Sequence, residues 1–270
     1  MSRWTELWIS AGELAAKVDG PRPPVLLDVR FDPRTGALPD DYAVGHLPGA
    51  VFVDLPVELA GDASGGGGRF PLPEIGRLQA AARRWGIRTD SDVVVYDDRS
   101  GISAARAVWV LRWAGVDRVR LMDGGLRAWR RLGHPVATDV VVPIEGDIDL
   151  APGSLPSIGA ETAAAFGAAG SLLDARPNAA YAKGHVPGAI GLPSDATLDE
   201  HGLVRPPDEL RTLLADAGVP LGHELAVYCG AGISAAYAAL VLSHLGEDVA
   251  LYVGSWSDWS ADPTRPVVTT

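Results

Sequence analysis

Apolar residues along this chain fall into two alternating kinds of run. Short, β-branched-rich stretches such as Val93–Tyr96 and Leu225–Tyr228 read as strands buried on both faces. Each is followed by a longer stretch, 102–114 or 233–245, whose apolar residues recur at helical spacing. Gly115 and Gly246 stand where such helices stop, and 117–122 and 248–253 read as the next strands. Strand, helix and strand joined by short connections predict an α/β fold with a parallel sheet.

The pattern occurs twice. Leu26-Leu27-Asp28-Val29-Arg30 matches Leu172-Leu173-Asp174-Ala175-Arg176. Tyr42-Ala43-Val44-Gly45-His46-Leu47-Pro48-Gly49-Ala50 matches Tyr181-Ala182-Lys183-Gly184-His185-Val186-Pro187-Gly188-Ala189. A third block, Gly-Ile-Ser-Ala-Ala, recurs at 101–105 and 232–236. Two copies predict tandem domains, because a solenoid needs three or more repeats. Pro143, Gly146, Pro152, Gly153 and Pro156 break regular structure between the copies. The expected division is a first domain over 1–140, a linker over 141–157 and a second domain over 158–270. Within the first copy, the glycine-rich stretch 61–68 predicts a loop and a candidate lid.

At 270 residues the chain is long enough for two domains, each with its own core, and 47% apolar residues is the composition of a folded protein. The formal net charge of -11, with no run of Lys or Arg, argues against nucleic acid or an anionic membrane as a partner. The start, Met1-Ser2-Arg3-Trp4-Thr5-Glu6-Leu7-Trp8, lacks the apolar run of a signal peptide, and no stretch approaches a membrane span. A cytoplasmic protein is expected, in which a lone thiol stays reduced. One cysteine excludes an internal disulfide and any site of several cysteine ligands, and the six histidines show no metal-ligand spacing. Neither a metal nor a cofactor is expected.

That single cysteine sits in Tyr228-Cys229-Gly230-Ala231-Gly232-Ile233-Ser234, between a strand and a helix. The first copy reads Tyr96-Asp97-Asp98-Arg99-Ser100-Gly101 at the same place, with acid instead of thiol and one residue more. Features shared by both copies are scaffold; features unique to the second are candidates for chemistry. Gly230 and Gly232 are expected to supply positive φ for the tight turn. Loop N–H groups and the helix N-terminus then face the sulfur, an arrangement that stabilises a thiolate and can hold a persulfide sulfur or an oxyanion. Cysteine-based phosphate chemistry would need an arginine closing a longer loop, and Ser234 stands at that point.

The paired Asp-x-Arg blocks, the paired Gly-His-x-Pro-Gly-Ala blocks and the Cys-x-x-Gly loop resemble the two-domain rhodanese family of sulfurtransferases over nearly the whole chain. Gly254-Ser255-Trp256-Ser257-Asp258-Trp259 resembles that family's ending, with Asp258 where Glu or Gln is usual. The resemblance implies two tandem rhodanese-like domains, each a parallel sheet flanked by helices, with the first non-catalytic. It implies that Cys229 carries sulfane sulfur as a persulfide from a small anionic donor, thiosulfate or 3-mercaptopyruvate. The acceptor would be a thiol, a dithiol protein or cyanide. The alternative is a non-catalytic sulfur carrier or redox-sensing module.

The chain departs from the family where the donor binds. Ala231 replaces the usual serine of the mercaptopyruvate type, Ala180 stands where an arginine precedes Tyr181, and the segment carrying a further arginine is absent. The active-site loop is then Gly230, Ala231, Gly232, Ile233 and Ser234, without a cation. Arg69, Lys183 and Arg205 are the unmatched cations available to bind an anion. His46 and His185 occupy equivalent places, which fits bracing a turn; for His46 a role in the cleft stays open. The recurring Asp28, Arg30, Asp174 and Arg176 fit buried ion pairs.

Overall fold

The structure is a computed structural model and describes residues 7–270; residues 1–6, part of the start discussed above, lie outside the described residues. Two compact units form. Among the described residues, one holds 7–61 together with Leu72–Ser154, and the other holds Asp62–Pro71 together with Leu155–Thr270.

In the first unit the order is β1 (Trp8–Ile9), α1 (Ala11–Val18), β2 (Val25–Asp28), β3 (Phe31–Asp32), β4 (Gly36–Ala37), α2 (Pro39–Val44), β5 (Val51–Phe52), α3 (Leu55–Glu58), α4 (Ile75–Arg84), β6 (Val93–Tyr96), α5 (Ala104–Trp113), β7 (Val119–Met122) and α6 (Gly125–Arg131). In the second it is β8 (Ser157–Ile158), α7 (Ala160–Ala168), β9 (Leu172–Asp174), α8 (Asn178–Lys183), β10 (Ile190–Gly191), α9 (Pro207–Asp216), β11 (Leu225–Tyr228), α10 (Ser234–His244), β12 (Val249–Tyr252) and α11 (Ser255–Trp259). Each unit has a parallel five-stranded sheet, ordered β1-β7-β6-β2-β5 in the first and β8-β12-β11-β9-β10 in the second. The two orders correspond strand for strand.

Both core strands read from the pattern, β6 and β11, are buried at every residue, as strands covered on both faces must be. Helices α5 and α10 start later than apolar spacing alone predicts, because Gly101 to Ser103 and Gly232 to Ile233 belong to the loops that precede them. Gly115 and Gly246 do end them, with φ of 92° and 91°. Among the described residues no helix is long and apolar enough to cross a membrane.

Topology explains where a site can form. From β2 the chain moves to β5 on one side, then returns to β6 and continues to β7 on the other. The connections leaving β2 and β6 therefore part in opposite directions and open a crevice at the carboxyl ends of the strands. In the second unit the same reversal falls between β9 and β11, and Cys229 is the first residue after β11.

The glycine-rich stretch, placed inside the first copy by sequence, packs within the second unit. Its one regular feature is a single 3-10 turn, Ala63–Gly65, capped by Asp62. Gly68, at φ 84°, lies so close to Gly254 that a Cβ would come within 2.3 Å of the Gly254 carbonyl oxygen.

Candidate active site around Cys229

Cys229 is 2% exposed and its Sγ accepts the Gly232 N–H at 3.2 Å. Gly232 has φ 77°, so glycine is required there. Gly230 is a correction: it does not take positive φ, and a Cβ on it would meet nothing within 4 Å. One left-handed residue suffices for this short turn.

A second layer holds the loop from behind. The Cys229 N–H donates to Ser255 Oγ at 3.2 Å, and Ser255 Oγ donates to the Tyr252 carbonyl at 2.9 Å. Ser255 is fully buried at φ 53°, the one non-glycine residue with positive φ among the described residues. Such a conformation costs about 1–2 kcal/mol for an L-residue. The carbonyls of Cys229 and Gly230 accept the N–H groups of Trp256 and Ser257, both at 2.9 Å. Ser257 Oγ donates to Gly254 O at 2.9 Å and accepts the Arg69 N–H at 3.0 Å. Arg69 is thereby tied to the helix that holds the cysteine loop.

The first copy shows what this loop is built to hold. Asp97 is buried at the position of Cys229, and its carboxylate accepts four backbone N–H groups. Oδ1 takes Arg99 and Gly101, each at 2.9 Å, and Oδ2 takes Ser103 at 3.0 Å and Ala104 at 3.3 Å. Burial raises the Asp97 carboxyl above its ordinary range while these N–H groups pull it back. Gly101, Ser103 and Ala104 correspond to Gly232, Ser234 and Ala235. The cradle thus accommodates two acceptor atoms where the cysteine has one sulfur.

The repeated residues are scaffold. Arg30 forks onto Asp28 at 2.8–3.2 Å and Arg176 onto Asp174 at 2.5–3.0 Å, all four buried. Each guanidinium also donates to a helix-end carbonyl, Gly45 at 2.6 Å or Gly184 at 2.7 Å. Burial works against the Arg176 charge, but the hydrogen-bonded Asp174 outweighs it and raises the guanidinium pKa. Burial pushes Asp28 up to about 6 against the pull of Arg30. Arg176 also stacks over Trp256 at 4.3 Å.

His46 and His185 are both buried, stacked on Tyr42 and Tyr181 at 3.9 and 3.8 Å, with Nδ1 against the tyrosine carbonyls at 3.0 and 3.1 Å. The stacking and the Nδ1 contact recur in both copies and brace the turn at each place. Arg205 is engaged by Glu209 at 3.1 Å and the Ala196 carbonyl at 3.1 Å. Lys183 is exposed at the last residue of α8. Of the three cations, Arg69 is the one whose backbone is tied to the cysteine loop, through Ser257. Sequence reasoning passed over Ser255 and Ser257; the signal was their alignment with Gly125 and Arg127 in the other copy.

Two matches to the Rhodanese-like domain cover residues 10–132 and 160–262. SseB of Mycobacterium tuberculosis, assigned as a thiosulfate sulfurtransferase, is 44% identical over 97% of this chain and 96% of its own. The 3-mercaptopyruvate sulfurtransferase of Escherichia coli is 32% identical over 97% of this chain and 98% of its own. The crystal structure of SseA from Escherichia coli, a 3-mercaptopyruvate sulfurtransferase, superposes with a TM-score of 0.83 at 30% identity, covering 93% of this chain and 99% of that one.

Proposed function

The chain belongs to the rhodanese-like family and is a sulfurtransferase, and from that premise we propose that Cys229 carries the transferred sulfur. The Cys229 thiolate attacks the outer sulfur of a small anionic donor, thiosulfate or 3-mercaptopyruvate. A sulfur–sulfur bond forms, and the donor's bond to that sulfur breaks with its electron pair leaving on sulfite or on the enolate of pyruvate. A thiol, a dithiol protein or cyanide then attacks the outer sulfur, and the pair of the breaking bond returns to Cys229 as thiolate.

One observation carries this reading: the Asp97 carboxylate fills the twin cradle with two oxygens on four N–H groups. A persulfide anion presents two sulfurs in comparable positions, with the N–H groups of Gly232, Ser234 and Ala235 available to hold them. In this reading residues 158–270, joined by the strap 62–71, form the catalytic domain, the rest of 1–140 the non-catalytic one and 141–157 the linker between them. Arg69 supplies the donor-binding charge in place of the family's arginines, and the enzyme works in the cytoplasm.

Intact mass after separate incubation with thiosulfate and 3-mercaptopyruvate tests the proposal. A gain of one sulfur atom, removed by cyanide and lost in Cys229→Ala, is the expected result. No gain with either donor would refute it.

A further inference from the structure

The reversal of connections that positions Cys229 exists equally in the first unit, and there the crevice is large and basic. It encloses about 540 Å³, a volume suited to a small organic ligand. Arg30 follows β2, Asp98 follows β6 and Arg127 follows β7, so three adjacent parallel strands deliver residues to it. Arg130 and Arg131 complete the basic wall, and Asp41 lines it as well.

Arg127, Arg130 and Arg131 lie at i, i+3 and i+4 on α6, on one face, where like charges repel. All three are exposed, and none has an ion pair or donates a hydrogen bond among the described residues. Their counterparts in the second copy are Ser257, Ser260 and Ala261, which carry no charge. Scaffold therefore does not require these cations. A chain of net charge -11 holds three unpaired guanidiniums together at the fold's ligand-binding position. Arg30 at the buried side is neutralised by Asp28, so Asp41 and Asp98 leave the crevice positive and also offer acceptors to a donor group.

We propose that this crevice is a second binding site, for a small organic anion bearing carboxylate or phosphate, and that it is separate from the cysteine loop. Guanidinium forks match the paired oxygens of both groups. Asp97 already fills the cradle of this copy, so the ligand rests against α6 and the loop and does not react there.

The test uses the full chain with Cys229→Ala, titrated calorimetrically with pyrophosphate and, separately, citrate at low ionic strength. At least one should bind saturably, and the pair identifies phosphate or carboxylate as the preferred group. Adding Arg127→Gln and Arg130→Gln should weaken that binding at least tenfold. In the unmutated chain, the bound anion should protect Arg127, Arg130 and Arg131 from phenylglyoxal, read by peptide mass, so the result does not depend on the variants folding. Binding of neither anion, equal binding by the double variant, or protection at Arg69 instead of α6 would each overturn the proposal.

Discussion

Replacing Ser255 with glycine separates the strength of the fold from the placement of the proposed nucleophile. Ser255 is held in a left-handed conformation, and release of that strain returns about 1–2 kcal/mol. The same change removes Oγ, leaving the buried Cys229 N–H without its acceptor, at a cost of about 1–3 kcal/mol. The two effects nearly cancel, so denaturant midpoints for Ser255→Gly should lie close to wild type. Ser255→Ala keeps the strain and loses the acceptor, and it should be destabilised by the full 1–3 kcal/mol or so. Turnover should fall about tenfold to a hundredfold in both, because the sulfur's backbone support is gone and small displacements of a reacting atom are that costly. Urea denaturation and sulfur transfer to cyanide on the same preparations give both quantities. The reasoning fails if Ser255→Gly is stable and fully active.

Three further outcomes follow from the same geometry. Cys229→Ser should keep its fold and gain no sulfur from either donor, which intact mass reads directly; transfer above a few per cent of wild type would remove Cys229 from its proposed role. Asp97→Ala should lose about 1–3 kcal/mol by orphaning buried N–H groups, while Asp98→Ala, whose side chain makes no hydrogen bond or ion pair among the described residues, should lose little; denaturation curves compare them, and turnover should change less than tenfold in both. Ser257→Ala removes the acceptor for Arg69, a loss of about 1 kcal/mol, so the KM for the donor should rise several-fold with kcat nearly unchanged in steady-state kinetics.

Strands and helices were legible because burial on both faces leaves uninterrupted apolar runs, as in Val93–Tyr96 and Leu225–Tyr228. The position of Cys229 was legible from the repeat, since a matched block with one unmatched thiol marks the difference. Ser255 was not: no composition rule places a serine in a glycine conformation, and only tertiary contact with Cys229 and Tyr252 makes that strain worthwhile. Gly230 was overread for the opposite reason, as two glycines near a turn do not both need positive φ. The stacking of His46 on Tyr42 was not legible either, because it depends on how the helix before it turns. The basic face of α6 was visible as spacing, yet its crevice depends on how three strand ends converge.

The glycine-rich stretch has a consequence for the chain as an object of inheritance. Residues 62–71 are encoded in the middle of the first copy but count with the second unit, where Arg69 meets Ser257. The second unit is therefore discontinuous in the gene. During synthesis its strap emerges long before the sheet it belongs with, and it must wait for more than half the chain to follow. Excising the second copy at the linker would keep every residue of the cysteine loop while discarding Arg69. The repeat therefore does not divide the chain into two self-contained modules, because one segment of the first copy counts with the second unit.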